Sequence, residues 1–307
     1  LEPRVTVKFC ILGSPENWYV RDLMRAAQGH SIDVCSFEDV EGFYESQAGW
    51  KALANGYPLH QCDAIFVRTM PLGSLEQMVI RLDMLHVLQQ QDVISINPPR
   101  TLEIAIDKWL TLHHLRRAGH AIPATAVCQR RQQAMEAFER LGGDVVVKPI
   151  FGGEGRGIMR VQDADLAWRV FSALEQLRQV AYLQEFVPHF GYDIRLLAVG
   201  SKIAAVRRES KEDWRTNVSR GAVAVPIEPT AEQVQTVQRV MHQMQATTLG
   251  IDLLPACNGE TYLLEVNAVP GWKGTASATG IDVAGWMIDA AVEQVEKSRD
   301  SRKSPAT

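Results

Sequence analysis

Short apolar runs alternate with helix-period segments from Val5 to Ile96, and this alternation leaves few folds open to the start of the chain. A run from Val5 to Leu12 stops at Gly13-Ser14-Pro15, and Val20, Leu23, Met24 and Ala27 then recur at helical spacing. Ser31 to Phe37 reads as a second strand and Ala64 to Val67 as a third, with Arg68 at its carboxyl end. Leu75, Met78, Val79 and Leu82 predict another helix, and Val93 to Ile96 a further strand ended by Asn97-Pro98-Pro99. Strands separated by helices predict a small, mostly parallel sheet. Such sheets place ligands beyond the carboxyl ends of their strands, where Arg68 stands. The double proline marks a boundary.

Beyond it, Thr101 to Ala118 reads as one helix carrying Asp107-Lys108 and stopped by Gly119. Val145-Val146-Val147-Lys148-Pro149 is a β-branched strand that runs straight into Phe151-Gly152-Gly153-Glu154-Gly155-Arg156-Gly157. Leu166, Val170, Leu174 and Leu177 form a helix, and Ala181 to Val187 a strand. Ile194 to Val199 and Ile203 to Val206 form a hairpin across Gly200-Ser201, and Val234, Val237, Met241 and Met244 a further helix. Trp18, Trp109 and Trp168 fall at helical positions and read as core. The segment after Glu296 has no apolar content and is expected to be disordered.

Composition narrows the function. The 307 residues, 46% hydrophobic and 22% charged, suit a soluble globular chain of two or three packed units. A net charge of -4 argues against a general nucleic-acid binder and leaves room for a local basic pocket. The five cysteines are scattered and odd in number, with no Cys-x-x-Cys pair, which fits a reducing compartment and no zinc framework. No apolar run approaches the ~18 residues of a membrane span, and no signal-type segment opens the chain. A cytoplasmic protein with no membrane partner is expected.

Three stretches carry chemistry. In Leu263-Leu264-Glu265-Val266-Asn267-Ala268-Val269-Pro270-Gly271, strand geometry puts Glu265 and Asn267 on one face, and a hairpin through Asn258-Gly259 brings Asp252 alongside. Carboxylate and carboxamide oxygens suit Mg²⁺; read alone, the segment is equally an acidic strand end with a turn before Pro270. The clustered glycines after Lys148 let backbone amides approach phosphate oxygens, although they match neither a Walker loop nor a dinucleotide fingerprint. Arg207, Arg208, Arg215 and Arg220, with Asn217, crowd one segment whose guanidinium groups suit carboxylate and phosphate, or form a solvated loop. The histidines have no metal spacing, and no Gly-x-Ser-x-Gly or Cys/His pairing suggests a covalent nucleophile.

The order of the pieces resembles an ATP-grasp carboxylate-amine ligase of the RimK-type glutamate ligase family. The pieces are Asp107-Lys108, Val146-Val147-Lys148-Pro149, the glycine loop, Gln184-Glu185-Phe186-Val187, Gly191-Tyr192-Asp193-Ile194-Arg195, Arg215-Thr216-Asn217, Asp252 and Glu265-Val266-Asn267. The resemblance spans about residues 4 to 296, including Thr279 to Gly285. It implies an α/β and α+β ATP-grasp fold: an N-terminal α/β domain with a small parallel sheet over 1–98, a linker helix and central lid over 99–187, a C-terminal domain over 188–297 and a disordered tail over 298–307.

By the same resemblance, Lys108, Lys148, Gly153 and Gly155 hold ATP phosphates, Glu185 and Phe186 run along adenine, and Asp193 lies near the ribose. Arg215, Thr216 and Asn217 form a triphosphate loop. Asp252, Glu265 and Asn267 bind Mg²⁺, with Mn²⁺ an alternative ion and Glu265 bridging two ions. Arg208 and Arg220 are the candidate catalytic cations, and Arg68 and Arg195 the candidate substrate contacts. The stretch between Glu185 and Asp193 is one residue shorter than in the ribosomal-protein-modifying branch, which bears on the ribose assignment.

The implied reaction passes through an acyl-phosphate that an amine displaces, with small-molecule carboxylate and amine substrates, glutamate among them. Arg68-Thr69-Met70-Pro71-Leu72-Gly73-Ser74-Leu75-Glu76-Gln77 is similar to ligases of tetrahydromethanopterin-dependent one-carbon metabolism, which favours a pterin-type acceptor. A protein or peptide terminus as acceptor and a nucleotide-binding module without ligase activity are the alternatives. A homo-oligomer is compatible with all three.

Overall fold

The computed structural model describes residues 6–47, 49–152, 157–211, 213–216 and 221–303. The chain opens with β1 (Lys8–Leu12), α1 (Trp18–Ala26), β2 (Ser31–Cys35), β3 (Val40–Glu45), β4 (Gly49–Ala54), β5 (Tyr57–Pro58), β6 (Ala64–Val67), α2 (Leu75–Gln90) and β7 (Ile94–Ile96). Strands β2-β1-β6-β7 form a four-stranded sheet with every neighbour parallel, as the strand-helix alternation predicts. The antiparallel sheet β3-β4-β5, inserted after β2, is absent from the sequence reading. Its first strand leaves Phe43 and Tyr44 exposed, so it lacks the one-sided hydrophobic alternation that marks a strand.

Two helix expectations change in detail. Helix α2 begins at a capping box in which Ser74 and Gln77 satisfy each other's backbone amides. It buries Arg81, Leu85 and Leu88, while Leu75 and Val79, part of the predicted apolar stripe, are 80% and 47% exposed. The helix expected over 101–118 is broken into α3 (Pro99–Ile106) and α4 (Lys108–Arg117). Asp107 leaves helical geometry at φ -96°, ψ 103°, and its Oδ1 accepts from Trp109 N at 2.9 Å and Leu110 N at 3.0 Å. An aspartate that caps a new helix is worth more than one spent in a helix interior. Lys108 therefore stands on the first turn of α4.

The middle of the chain continues with β8 (Thr125–Cys128), α5 (Arg131–Arg140), β9 (Val145–Lys148), β10 (Met159–Val161), α6 (Ala164–Gln176) and β11 (Ala181–Glu185). Strands β10-β9-β11-β8 make an antiparallel sheet backed by α5 and α6. The last part comprises β12 (Tyr192–Val199), β13 (Lys202–Glu209), β14 (Val223–Ile227), α7 (Ala231–Met244), β15 (Thr248–Pro255), β16 (Thr261–Asn267), α8 (Lys273–Thr279) and α9 (Val283–Lys303). Here β14-β13-β12-β15-β16 form a five-stranded antiparallel sheet.

The cores show how these sheets are joined. One cluster runs from Cys10, Leu12 and Val67 in the first sheet to Leu196, Ile251 and Val266 in the last. A second joins Phe9, Ile11 and Phe66 to Leu197, Val199, Trp272 and Met287 of α9. The middle sheet has a core of its own, built on Phe138, Val145, Val147, Phe171 and Leu183. First and last sheets thus bury each other's apolar faces, and the middle sheet, with its own core, meets them through Tyr182 and Val127.

The tail expected to be disordered is helical through Lys303, because Arg299 pairs with Asp63 at 2.6 Å and Arg302 with Asp92 at 3.2 Å, both on the first sheet's side. Trp109 and Trp168, expected in the core, are 45% and 49% exposed; the Arg131 guanidinium covers Trp168 at 4.8 Å. Helical spacing identifies the helix without saying which face is buried.

Candidate active site

Between the middle sheet and the open face of the five-stranded sheet lies a cavity of about 100 Å³, lined by residues of both. Its floor follows from register. Asp252 on β15 is directly opposite Glu265 on β16, and Gly250 opposite Asn267, so the three oxygen-bearing side chains share a face. A bulge after Asp252 sets Leu264 as the extra residue. Arg195 on β12 faces Asp252, and Asp193 faces Arg208 on β13. A Cβ at Gly250 would stand 2.3 Å from Arg195 Nη2, so only glycine lets the guanidinium lie across the strand.

These side chains form one ladder. Arg195 Nη1 donates to Asp252 Oδ1 at 2.7 Å, and Arg208 Nη2 approaches Asp252 Oδ2 at 3.0 Å. Arg208 also grips Asp193 with both Nε, at 2.7 Å, and Nη2, at 2.5 Å, and Thr216 Oγ1 donates to Asp193 Oδ2 at 2.5 Å. All five residues are less than a tenth exposed. Burial alone would raise the Asp252 carboxyl; the charges of Arg195 and Arg208 outweigh it and hold the group below its ordinary range. Burial likewise works against the Arg208 charge, and Asp252 and Asp193 overcome it, raising its pKa.

Two lysines approach this floor, Lys148 from the middle sheet and Lys108 from the first turn of α4. Lys148 ends β9, and its Nζ donates to Gln184 Oε1 at 2.6 Å, while Gln184 Nε2 donates to Thr125 Oγ1 at 3.0 Å. Burial lowers the Lys148 pKa to about 8. Lys108 Nζ donates to the Gly152 carbonyl at 2.5 Å and is 4.0 Å from Glu265 Oε1, and burial lowers its pKa too. Gln184 is 2% exposed, a polar residue within an apolar strand, and that anomaly was the available signal for its part beside Lys148.

At the far end Glu185 Oε1 accepts from Ala124 N at 2.7 Å. The Phe186 ring lies under the Arg160 guanidinium at 3.4 Å and meets Trp214 edge-on at 5.8 Å. Trp214 and His189 line this end without having been singled out in the sequence. Arg215 turns to Asp213 at 2.9 Å and to the Ile158 carbonyl at 3.2 Å. Arg68 lies outside the cavity lining: its Nη2 donates to the Pro270 carbonyl at 3.0 Å, and its guanidinium lies over Trp272 at 4.5 Å and Tyr19 at 5.2 Å. Its Nε is buried without a partner among the described residues. Gly153, Gly155, Asn217 and Arg220 lie outside the described residues.

The donor set fits a hard divalent cation. Glu265 is open to the cleft with 37% of its side chain exposed. Asn267 Oδ1 accepts from Val269 N at 2.8 Å and keeps a second lone pair. Asp252 has both oxygens on guanidinium groups, yet a carboxylate offers about four lone-pair sites. Oxygen ligands of this kind suit Mg²⁺ shared with substrate phosphates.

A separate antiparallel sheet bearing Lys148, set over a sheet whose face carries Asp, Glu and Asn with Lys108 beside it, defines an ATP-grasp ligase, an enzyme that forms carbon-nitrogen bonds. The profile of the RimK-like ATP-grasp domain matches residues 105–291, and the chain belongs to that family. It is 29% identical to the tetrahydromethanopterin:alpha-L-glutamate ligase of Methanosarcina acetivorans, over 90% of this chain and 95% of that protein. It is also 32% identical to a probable alpha-L-glutamate ligase of Rhodopirellula baltica, over 68% of this chain and 52% of that one. Among solved structures, the ATP-grasp ligase PsnB with its minimal precursor superimposes with a TM-score of 0.73 at 20% identity, covering 94% of this chain and 99% of that one. A RimK domain ATP-grasp protein from Sphaerobacter thermophilus gives 0.69 at 19%, covering 93% and 99%. No helix among the described residues is long and apolar enough to cross a membrane.

Proposed function

We propose that the chain joins the amine of L-glutamate to a carboxylate on a small, pterin-type acceptor at the expense of ATP. The observation that carries this reading is that Lys148 shares one cleft with Asp252 and Glu265, with Lys108 4.0 Å from Glu265 and Asn267 on the same face of the floor. Lys108 and Lys148 hold the triphosphate, with Gly153 and Gly155 supplying amides and Arg215, Thr216 and Asn217 closing the site. Glu185 and Phe186 flank the base, and Asp193 reaches the ribose side. Mg²⁺, or Mn²⁺ on the same donors, held by Asp252, Glu265 and Asn267, supplies charge neutralisation at the phosphates.

The acceptor carboxylate attacks the γ-phosphorus, giving an acyl-phosphate and ADP; the glutamate amine then attacks the acyl carbon, and phosphate leaves as the amide forms. Arg208, with Arg220, stabilises the oxyanion of that second step, and Lys148 the charge transferred in the first. Arg68 takes part in holding a substrate carboxylate, whereas Arg195, expected to do the same, is buried and paired with Asp252, so it positions the Asp252 carboxylate instead.

The small-molecule acceptor rests on coverage. The two tetrahydromethanopterin:alpha-L-glutamate ligases match 90% and 94% of this chain, whereas the probable alpha-L-glutamate ligase of Rhodopirellula baltica matches 68%. The first two extend the likeness through most of the N-terminal sheet that carries Arg68. A screen of glutamate with reduced pterins, glutamyl peptides and free amino acids, read as ADP release and product mass, tests the proposal. Turnover on peptides alone would move the acceptor to a protein or peptide terminus, and no nucleotide turnover with any pair would leave a binding module. Glu265→Ala should abolish ADP production without unfolding the protein, since it removes a partly exposed side chain; wild-type-like turnover rejects the metal assignment.

A further inference from the structure

Away from the catalytic cleft, the last turn of α4 and the middle and end of α7 enclose a hollow of about 670 Å³. Arg117, Arg239, His114 and His242 line it, with glutamine amides and no carboxylate. Neither guanidinium has a carboxylate partner among the described residues. In a chain of net charge -4 this is a concave surface of the opposite sign, which concentrates anions.

Cations near helix C-termini have a plainer use, which is to offset the helix dipole. That accounts for Arg117 in the last turn of α4, beside which burial lowers the His114 pKa. It does not account for Arg239, which lies before the last turn of α7. Gln235, Gln238, Arg239 and His242 follow the i, i+3, i+4, i+7 rule, so α7 presents one continuous stripe of hydrogen-bond donors toward α4. The two helices are fixed in register by Gln243 Nε2, which donates to the His114 carbonyl at 2.5 Å. Beside Arg239, His120 is 7% exposed and keeps a buried Nε2 with no partner among the described residues.

We propose that this hollow is a second anion site, separate from the ATP cleft, that takes a compact phosphate-bearing ligand. Planar guanidinium forks from two helices match phosphoryl oxygens, and the glutamine amides add neutral donors. The shared chemistry is the phosphate group, whether of inorganic pyrophosphate or of a phosphorylated metabolite.

Calorimetric titration of the full chain separates this site from the cleft. Inorganic pyrophosphate and a sugar bisphosphate are titrated into wild type, Lys148→Ala, and the exposed double variant Arg117→Ala/Arg239→Ala, at low and high salt. Lys148→Ala should retain a salt-sensitive binding event that the double variant weakens by at least about tenfold. A preference between the two probes identifies the source of the phosphate. If Lys148→Ala loses all binding, if the double variant binds as wild type does, or if neither probe binds wild type at millimolar concentration, the second site is overturned.

Discussion

The two walls of the candidate cleft bury charge in opposite ways. On the five-stranded sheet, Asp193, Arg195, Arg208 and Asp252 neutralise one another within a hydrogen-bonded ladder. Across the cleft, Lys148 has a neutral amide as its hydrogen-bond partner, while Lys108, on the first turn of α4, donates to a carbonyl with Glu265 4.0 Å away. The floor is complete without a ligand, whereas the lysines are held under electrostatic strain that a triphosphate would relieve. The cores divide in a related way, since the floor is fused to the N-terminal sheet while the middle sheet keeps a core of its own and joins the shared one through Tyr182 and Val127. A preorganised base and a cation-bearing cover that gains its counter-charge from substrate suit an enzyme that must release ADP after every turnover.

The strongest way to break this contrast is to unbalance the floor. Arg208→Met leaves Asp193 and Asp252 buried beside a single remaining guanidinium, and uncompensated buried charge costs about 3–5 kcal/mol. Urea unfolding should show that loss together with lost turnover. A fully stable Arg208→Met would mean that the ladder is not the rigid base described.

Next in size is the joint between floor and N-terminal sheet. Asn97 is fully buried; its Nδ2 donates to the carbonyls of Thr248 and Ala268 at 2.6 Å each, and its Oδ1 accepts from Thr247 N and Thr248 N at 2.7 and 2.9 Å. One side chain thereby ties the end of β7 to the start of β15 and the residue after Asn267. Asn97→Ala should cost on the order of 3 kcal/mol, because several buried backbone groups lose their partner. An Asn97→Ala protein as stable as wild type in urea would remove this joint from the account.

Asn97 also marks what the sequence could and could not say. Glu265 and Asn267 were legible because two positions of strand spacing fix a shared face, and Asp252 because a short hairpin fixes its register. Asn97 read only as a strand end before two prolines, since its partners lie about 150 residues away and no local period points to them. The break at Asp107 was hidden for a different reason: apolar spacing continues on both sides of the cap. Trp272, fully buried between the sheets, follows a turn in sequence and shows no periodicity at all.

Arg68 probes the same joint from the substrate side. It touches Pro270, Trp272 and Tyr19, and no carboxylate pairs with it among the described residues. If it reads a substrate carboxylate, Arg68→Ala should lower kcat/KM for the acidic substrate by some tens-fold, about 2 kcal/mol, with ATP KM little moved. An unchanged substrate parameter, or a loss confined to ATP, would leave Arg68 as a brace for the Pro270 turn.

The smallest effect tests the lysine wall directly and needs no substitution. Burial holds Lys148 at a pKa of about 8, with Glu265 drawing it up and Lys108 pushing it further down. Because the folded pKa lies below the ordinary lysine value, the free enzyme carries the charge below about pH 8 and loses it above. A triphosphate changes little in charge over that range, since phosphate titrates near pH 6. If Lys148 holds the triphosphate as proposed, only the charged lysine attracts it, so ATP KM at saturating acceptor and glutamate should rise by up to about tenfold between pH 7 and pH 9. Bound triphosphate restores the proton, so kcat should change less than KM. Lys148→Arg, whose guanidinium stays charged throughout, should flatten the profile even if its KM is higher overall. A wild-type ATP KM that is level across this range would show that Lys148 keeps its proton without the nucleotide or does not hold the triphosphate, and the contrast between the paired floor and Lys148 on its neutral amide would then lose its electrostatic half.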